Sequence, residues 1–391
     1  MKASVSQQHL AHGLGVVSRA VAPRSTLPVL ANILVATDEG RLRLSATNLE
    51  LGISCWIGAQ LADEGAVTIP ARTFCDLVGT LPNDTVHLTL NNNTQTLTVR
   101  CGASITDIKG IDAHEFPPIP VPDLTEGIQL NLVEFKEMIQ QVAFAAATED
   151  ARPALQGVCM SINETGITMA ATDGFRISVR RALLAEPPPQ PISVIVPARA
   201  LNEVARIAAD GDQKVTMVVS SGRGQALFHL KDAELVSQLI EGNFPDYQAI
   251  IPRSFKTTTI VSTGELLKAC RQAEIIARDS NNVVRLNILP GGDGIMPAEA
   301  GTPGRVEISA QSEETGSSEV SVDATVDGPG LVIAFNVRFL REVLEVIKTP
   351  SVALETNANN SPGMLRPVGD QNYPHALGGG YQPVIMPMHL G

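Results

Sequence analysis

Three short segments of this chain occur twice, in the same order and at nearly the same spacing. Ala46-Thr47-Asn48-Leu49-Glu50 is matched 125 residues later by Ala171-Thr172-Asp173-Gly174-Phe175, and Ile69-Pro70-Ala71-Arg72 is matched after 127 residues by Val196-Pro197-Ala198-Arg199. Glu115-Phe116-Pro117-Pro118 and Asn243-Phe244-Pro245-Asp246 close the two units at a spacing of 128. An ordered set of matches at one spacing indicates an internal repeat, and a repeat restricts the fold more than any single motif does.

A third, weaker unit completes the chain. It begins near Pro252, and Asn336-Val337-Arg338-Phe339-Leu340 stands where the earlier units have their Pro-Ala-Arg segments. The length of 391 residues is about three times the commonest domain size. We therefore predict three domains, 1–122, 123–252 and 253–391.

Each unit has the pattern of an α+β domain. Apolar residues recur at helical spacing in two segments of each unit, so helices are predicted over 6–24, 70–82, 131–148, 197–208, 263–278 and 336–348. Alternating runs such as Leu88–Leu90 and Leu97–Val99 flank an asparagine-rich turn, as in a hairpin. The fold class is α+β, with three repeated domains in which two helices pack on antiparallel sheets.

The composition is that of a soluble, globular protein. Hydrophobic residues make up 44% and charged residues 18%, and the mean hydropathy is +0.10. These values argue against disorder, and no stretch is long and apolar enough for a signal peptide or a membrane span. The five cysteines are odd in number and widely separated, which predicts free thiols in a reducing cytoplasm and no disulfide framework.

Charge is distributed unevenly along the chain. The net charge is −12, but the six predicted helices hold twelve basic and eight acidic residues, and no acidic residue precedes Asp38. The net charge therefore argues against a protein that binds nucleic acid by bulk charge, whereas a weakly positive surface built from the helices is compatible with phosphate attraction. The alternative from charge alone is that these lysines and arginines solvate outward helix faces.

Catalytic signatures are missing from the sequence. It has no Walker loop, HExxH, GxSxG or dinucleotide motif, and the seven histidines form no ligand cluster. Asp173 and Asp246 have no paired base nearby and suit turns or caps. No catalytic residue, cofactor or metal is predicted.

Several segments together resemble a known family, the bacterial sliding clamp or β subunit of DNA polymerase III. They are Arg24–Leu30, Ala171–Arg176, Phe244–Tyr247, Phe335–Val337 and the tail Val384–Leu390. The resemblance spans nearly the whole chain. It implies a head-to-tail homodimer in which six similar domains form a ring and their helices line a hole around duplex DNA. The implied function is a processivity factor that tethers the replicative polymerase, the clamp loader, and repair and translesion polymerases, without chemistry of its own. The uneven charge fits this design, because a ring holds DNA by topology and needs only weak, sequence-independent attraction.

Three sets of site residues follow. By resemblance, Arg24 and the loop with Glu149 and Arg152 approach DNA, and charge adds Arg72, Arg199, Arg206, Lys268, Arg271 and Arg341. In the loop 148–154, no aromatic residues follow the arginine, unlike in the family. By resemblance, subunits meet through Ile105 and Ile108 against Ile275 and Ile276, although burial within their own domains is an alternative.

The third set is a hydrophobic pocket for short linear motifs, implied by the resemblance. Its residues are Leu155, Thr172, Gly174, Phe175, Arg176, Ile177, Pro245, Ile250, Asn336, Phe339, Pro362, Val384, Ile385, Met386, Pro387, Met388 and Leu390. Aliphatic and methionine side chains make an adaptable socket, and Arg176 is expected to bind a peptide carbonyl or carboxylate. Gln248, Ala249 and His389 stand where the family commonly has basic residues.

Two other functions are compatible with the residues alone. One is a hydrolase or transferase centred on Asp173 and Arg176, and the other is a structural repeat protein that binds only peptides. Positive charge concentrated on the helices favours the clamp over the second. Two Gly/Pro-rich segments, 289–304 and 366–380, are predicted to be long loops of the third domain.

Overall fold

The structure is a computed structural model that describes residues 1–121, 123–149, 151–188, 190–208, 213–220, 222, 224–291, 303–369 and 380–389. It forms two compact units. The first comprises Met1–Lys136 and Arg199–Leu239, and the second comprises Glu137–Ala198 and Ile240–Gly391.

The segment predicted as the first domain contains helices α1 (Gln7–Val17) and α2 (Ala71–Thr80). Its strands are β1 (Lys2–Ser6), β2 (Asn32–Asp38), β3 (Arg41–Thr47), β4 (Leu51–Ile57), β5 (Gln60–Asp63), β6 (Ala66–Pro70), β7 (Thr85–Asn91), β8 (Thr96–Cys101), β9 (Ser104–Lys109) and β10 (Ile111–Asp112). The predicted hairpin is present, because β7 and β8 pair through Leu90 and Leu97 on either side of the asparagine turn.

The second segment contains helices α3 (Leu132–Val142) and α4 (Ala198–Ile207). Its strands are β11 (Ile128–Asn131), β12 (Gly157–Asn163), β13 (Gly166–Thr172), β14 (Arg176–Ala182), β15 (Ile192–Pro197), β16 (Lys214–Ser220), β17 (Gln225–His229) and β18 (Ala233–Gln238).

The third segment contains helices α5 (Thr263–Ala277) and α6 (Val337–Val346). Its strands are β19 (Thr257–Ser262), β20 (Val283–Leu289), β21 (Gly304–Ser312), β22 (Gly316–Asp327), β23 (Leu331–Asn336), β24 (Ser351–Thr356), β25 (Gly363–Val368) and β26 (Tyr381–Ile385). Most of the two predicted loops, 289–304 and 366–380, lies outside the described residues. Their ends belong to strands, since Leu289 ends β20, Gly304 begins β21 and 366–368 end β25.

The predicted helices are present, but two of them are shorter than expected. α1 ends at Val17 instead of 24, because the chain passes through a 3-10 turn at Ser18–Ala20 and becomes extended before Pro23, which cannot continue a helix. α3 ends at Val142 instead of 148. The carbonyls of Gln141 and Phe144 accept hydrogen bonds from the side chains of Ser178 and Arg176, and a 3-10 turn replaces further α-helix.

In the first unit, the described strands form two antiparallel sheets. Their strand orders are β5-β1-β7-β8-β9 and β10-β6-β2-β3-β4-β18-β17-β16-β11. The second sheet crosses the predicted boundary at 122/123, because β18 pairs with β4 through Leu51–Cys55. The apolar face of α1, with Leu10, Leu14 and Val17, is buried as predicted.

In the second unit, the described strands form one antiparallel sheet in the order β15-β12-β13-β14-β26-β25-β24-β19-β22-β21-β20-β23. This sheet crosses the predicted boundary at 252/253, because β26 pairs with β14 through Arg176–Arg180. The continuous sheets join parts of the second repeat to its neighbours, which accounts for two compact units where the repeat predicts three domains. α5 and α6 bury apolar faces in a shared core that includes Cys270, Phe335 and Leu340.

The repeated sequence folds into repeated structure. In the turn between β3 and β4, the Thr47 hydroxyl donates to the Leu51 carbonyl (3.1 Å) and the Asn48 side chain accepts from Leu51 N–H (2.7 Å). In the turn between β13 and β14, Thr172 donates to the Arg176 carbonyl (2.7 Å) and Asp173 accepts from Arg176 N–H (3.0 Å). The two turns share one hydrogen-bond pattern, and the sequence match predicted this equivalence.

None of the helices that the structure describes combines the length and the apolar character needed to cross a bilayer.

Candidate functional site

A groove in the second unit opens beside the turn between β13 and β14. Its cavity of about 350 Å³ is lined by three structural elements: the segment that follows α3, the turn itself and the first half of α6. Phe144, Phe175 and Phe339 contribute rings to it, and Arg152, Arg176 and Arg338 contribute guanidinium groups. Of the residues predicted for a peptide pocket, Phe175, Arg176 and Phe339 line this cavity.

Arg176 is the centre of a buried network at the groove. Its side chain is only 8% exposed. Nε donates to Asp173 (3.0 Å), Nη1 donates to Glu342 and Nη2 donates to the carbonyl of Phe144 (2.8 Å). Each guanidinium nitrogen therefore has an acceptor within the chain. Three of the five guanidinium N–H groups are thus engaged within the chain, and the contact of Arg176 with a peptide carbonyl or carboxylate stays a prediction for the other two.

The same guanidinium also contacts two aromatic rings. Its Cζ atom lies 5.1 Å from the centroid of the Phe144 ring and 4.3 Å from that of Phe339, both within the range of cation–π contacts. Arg176 thus ties α6 and the segment after α3 to the turn between β13 and β14. Its role in the groove is to position the walls.

The charged groups around Glu342 shift the pKa of its carboxyl group. Its burial opposes ionisation, but hydrogen bonds from Arg176 and Arg338 outweigh burial and lower its pKa below the ordinary value. The carboxylate is therefore ionised at neutral pH. The ion pair between Arg176 and Glu342 links β14 to α6, residues that are far apart in sequence.

A second apolar surface lies next to the groove, where β14 pairs with β26. Ile177 stands opposite Val384, and Arg176 stands opposite Ile385. The N–H of Met386 donates to the carbonyl of Phe175 (2.9 Å), which brings the tail against the turn. Met386 is 36% exposed, so its thioether is available to a ligand. Ile177 and Val384 pack with Tyr247 and Met364 in one small cluster.

The remaining predicted pocket residues that the structure describes belong to the same unit as these two surfaces. Leu155 is buried, and its carbonyl accepts from Ala147 N–H. Pro245 and the exposed Ile250 lie on either side of Tyr247 in the sequence, and Pro362 precedes β25. Asn336 caps α6, because its side chain accepts a hydrogen bond from Arg338 N–H. Thr172 and Gly174 shape the turn, and Met388 N–H donates to the carbonyl of Ala334, with Pro387 between it and Met386. Leu390 lies outside the described residues.

Phe144, Arg338, Glu342 and Met364 belong to this site but are not among the predicted residues. Phe144 lies in the predicted helix 131–148, and no sequence pattern singled out Met364. Arg338 and Glu342 are one helical turn apart on α6 and pair at 2.8 Å. That spacing is visible in the sequence, but the contact of Glu342 with Arg176 depends on the tertiary fold.

Basic side chains of the first unit differ in their ion pairing. Among the described residues, no carboxylate pairs with Arg24 or Arg199, both of which are exposed. Arg72 is 94% exposed and only 3.8 Å from Asp76, a weak surface pair. Arg206 pairs with Glu203 at 3.1 Å, and Glu203 also lies 3.6 Å from Arg19. Arg24, Arg72 and Arg199 therefore keep most of their charge available.

The predicted basic residues of the second unit differ more strongly in their ion pairing. Lys268 is exposed, and no ion pair to it is formed by the residues that the structure describes. Arg271 pairs with Glu345 at 3.0 Å. Arg341 is only 23% exposed and lies within 4 Å of Glu274, Glu342 and Glu345. Three carboxylates therefore offset the charge of Arg341, and its position facing DNA stays a prediction.

The four isoleucines predicted at the subunit interface also separate into two pairs. Ile105 on β9 and Ile275 on α5 are each 58% exposed. Ile108 is 5% exposed, and Ile276 packs against the core of the second unit. Burial within their own domains, the alternative considered from the sequence, applies to Ile108 and Ile276.

Asp173 has the turn role that the sequence favours over catalysis. Its carboxylate accepts from the N–H groups of Phe175 and Arg176, and it pairs with the Arg176 side chain. The acidic and basic residues of the enzymatic alternative are therefore engaged with each other and with the backbone.

Comparisons with known proteins agree along the whole chain. Three family models match in order: the N-terminal domain of the DNA polymerase III beta subunit over residues 1–120, the central domain over 129–246 and the C-terminal domain over 248–388. The beta sliding clamp of Synechococcus elongatus is 34% identical over 372 residues, which cover 94% of this chain and 96% of the relative. That of Staphylococcus aureus is 30% identical over 382 residues, with 95% and 97% covered.

Solved structures agree with these matches. The DNA polymerase sliding clamp from Bacillus subtilis superposes with a TM-score of 0.88 at 27% identity and 100% coverage of both chains. The clamp from Pseudomonas aeruginosa superposes with a TM-score of 0.86 at 26% identity, again over both whole chains. The chain therefore belongs to the DNA polymerase III beta subunit family, the beta sliding clamps, which are non-catalytic processivity factors of DNA replication.

Proposed function

We propose that two copies of this chain close head to tail into a ring that encircles duplex DNA and tethers replication and repair enzymes through the groove. The observation that carries the proposal is a pair of open strand edges. At two places, a strand of the following repeat pairs with the free edge of a hairpin in the repeat before it. β18 pairs with β4 in this way, and β26 pairs with β14. The repeat predicts a third such addition, and the described chain leaves it unfilled.

The open edges lie on β22 and β9. β22 is the second strand of a hairpin, as β4 and β14 are in theirs. One edge of β22 pairs with β21, and among the described strands only β19 pairs with the other edge, at Ala324–Asp327. Residues 316–323 therefore keep a free edge. Within the described strands, β9 pairs only with β8 and ends its sheet. Addition of β9 from one subunit to β22 of the other satisfies both edges, and the exposed Ile105 and Ile275 are suited to the same contact.

A ring needs only weak attraction to the DNA that it encloses. Arg24, Arg72, Arg199 and Lys268 are exposed with little or no carboxylate pairing, so they supply this attraction. Arg152 lies in the loop that the resemblance places near DNA, whereas Arg206 and Arg271 contribute less because glutamates neutralise them. Contacts to phosphate carry no sequence information, so the ring slides on any duplex.

The groove and the adjacent apolar surface form the tethering site. Phenylalanine rings, Met386 and Ile250 offer contact to aliphatic and aromatic anchors of a linear peptide. The partners are the replicative polymerase, the clamp loader, and repair and translesion polymerases, in a reducing cytoplasm. Tethering raises the concentration of an enzyme at its template without any catalysis by the clamp.

Sedimentation of substituted chains tests the closure. Ile105→Arg and Ile275→Arg each place a charge at a proposed subunit contact, so both are expected to convert the dimer to a monomer. Val133→Arg is the matched control, because Val133 is 70% exposed on α3 and belongs to neither edge strand. A monomeric wild-type chain, or a dimer that survives both substitutions, contradicts the proposed closure.

A further inference from the structure

A cavity in the first unit is not used by the clamp function. It has a volume of about 300 Å³ and lies at the end of β4 that is remote from the turn at Thr47–Leu51. That turn is the repeat equivalent of the one beside the groove. The cavity is therefore not the first unit's copy of the groove, and neither the repeat nor the proposed tethering assigns a role to it.

The polar groups around this cavity include several that can donate hydrogen bonds to an anion. His9 and His12 lie on one exposed face of α1, three residues apart, and α1 contains no acidic residue. Arg41 lines the opposite side. The only lining carboxylate is that of Asp232, and it accepts from Arg41 Nη1 at 3.0 Å. Burial raises the pKa of the Cys55 thiol to about 11, so this lining group is neutral.

The imidazole rings are available to a ligand. Within the described part of the chain, no side-chain hydrogen bond or ion pair engages either His9 or His12. Two imidazoles and one guanidinium thus face the same space, with a single carboxylate that is already paired. Phosphate oxygens accept hydrogen bonds from these groups.

The rest of the lining is apolar. Val16, Ile57, Ile207 and Leu230 form much of the wall, and Trp56 lies beside the Arg41 guanidinium, 5.9 Å from its Cζ atom. An inorganic anion alone would leave this wall uncovered, whereas a ring attached to a phosphate would cover it. A volume of about 300 Å³ is at the lower end of the range for small-molecule sites.

We propose that this cavity binds a nucleoside phosphate, with the phosphate between His9, His12 and Arg41 and the nucleoside against the apolar wall. Free nucleotides and DNA both carry this chemistry, so the experiment distinguishes these two sources. The inference does not depend on the proposed ring, because the described lining residues all come from the first unit of one chain.

The test uses the fluorescence of Trp56, the only tryptophan in the chain. The full-length protein is titrated with thymidine monophosphate, thymidine and inorganic phosphate, and calorimetry is run in parallel. We expect a saturable change in fluorescence with thymidine monophosphate and binding at least about tenfold weaker for the other two probes, since each lacks one half of the ligand.

Substitutions separate this site from general anion binding. His9→Gln and His12→Gln are each expected to weaken binding of thymidine monophosphate about tenfold. His114→Gln, at a histidine 97% exposed and outside the cavity, is expected to leave it unchanged. Displacement of the nucleotide by a short DNA duplex would identify the DNA backbone as the source, and lack of displacement would identify free nucleotide. Absence of saturable fluorescence and heat, or equal binding by the His9→Gln, His12→Gln double variant, would overturn the proposal.

Discussion

The guanidinium of Arg176 lies 4.3 Å from the centroid of the Phe339 ring and forms an ion pair with Glu342, one turn further along the same helix. This relationship makes Arg176 a link between β14 and α6. The groove therefore depends on an arginine that lines its wall and is held there by acceptors of the chain itself. Such an arginine supports binding by fixing the positions of Phe144 and Phe339.

Replacement of Arg176 by alanine should destabilise the protein and abolish groove binding together. The substitution removes the cation that pairs with Asp173 and leaves Glu342 with Arg338 and Arg341 alone, in a site where each carboxylate is only 17% exposed. Loss of one member of a buried ion pair costs about 3 kcal/mol or more. Urea unfolding measures the cost, and anisotropy of a labelled peptide from the clamp-binding segment of the polymerase measures the groove.

Arg338→Ala is the matched control for Arg176. Arg338 pairs with the same Glu342 but is 61% exposed, so its loss should cost less than about 1 kcal/mol. Equal destabilisation by the two substitutions would show that Arg176 has no special structural role.

The contribution of Glu342 should depend on pH in a defined direction. Its pKa is lowered in the folded chain, so folding favours the ionised form. The resulting stability is complete above the ordinary glutamate pKa near 4.5 and is lost as the pH falls below it. At neutral pH we expect Glu342→Gln to cost about 1–3 kcal/mol, because Arg176 loses an acceptor.

Unfolding free energies measured across this acid range test the dependence on Glu342. The difference between wild type and Glu342→Gln should shrink as the pH falls, whereas Glu313→Gln, at an exposed glutamate between β21 and β22, should have little effect at any pH. A difference that stays constant down to acid pH would assign the effect to packing instead of charge.

The repeat predicts a stabilising substitution in the turn between β3 and β4. Leu49 has a φ of 76° and Gly174, its equivalent, has a φ of 94°. A left-handed backbone costs a non-glycine residue about 1–2 kcal/mol, and Leu49 buries little in return because it is 53% exposed. Leu49→Gly should therefore raise the free energy of unfolding by up to about 1 kcal/mol, after the entropic cost of glycine is deducted.

Gly174→Ala should have the opposite effect and lower stability by about 1 kcal/mol, since it introduces the strain that Leu49 already carries. Shifts of the urea midpoint measure both changes. A lower free energy of unfolding for Leu49→Gly would mean that the leucine side chain stabilises the fold by more than the left-handed backbone at this position destabilises it.

Salt dependence distinguishes free from neutralised basic residues. Lys268→Ala should reduce the slope of log affinity for a short duplex against log salt by about 1, because one phosphate contact is lost. Arg341→Ala should leave that slope unchanged and lower stability instead, since Arg341 is held by Glu274, Glu342 and Glu345. A reduced slope for Arg341→Ala would show that its carboxylate partners release it to DNA.

Much of the fold could be predicted from local sequence. The repeats, the hairpin at 91–95, the buried helix faces and the turn role of Asp173 depend on patterns within a few residues. The ends of α1 and α3 could not be predicted. α3 stops where side chains from β14 take its carbonyls, and no local pattern reveals that competition.

The site was less predictable for the same reason. Family motifs identified the turn, α6 and the tail. The ion pair of Arg176 within the protein could not be predicted, because its partner Glu342 lies 166 residues away in the sequence. Arg341 and Lys268 look alike in sequence, and only the packing of α5 on α6 shows which one is neutralised. Residues such as Ile105 and Ile108 differ in burial through the pleat of a single strand.

Retention on DNA of different topology tests the central claim most directly. The protein is loaded on circular duplex DNA by a compatible clamp loader with ATP, and half of each sample is then linearised. We expect the clamp to stay on circular DNA and to leave linear DNA through its free ends. Equal retention on both forms, with a control clamp behaving as a ring in the same assay, would contradict encirclement.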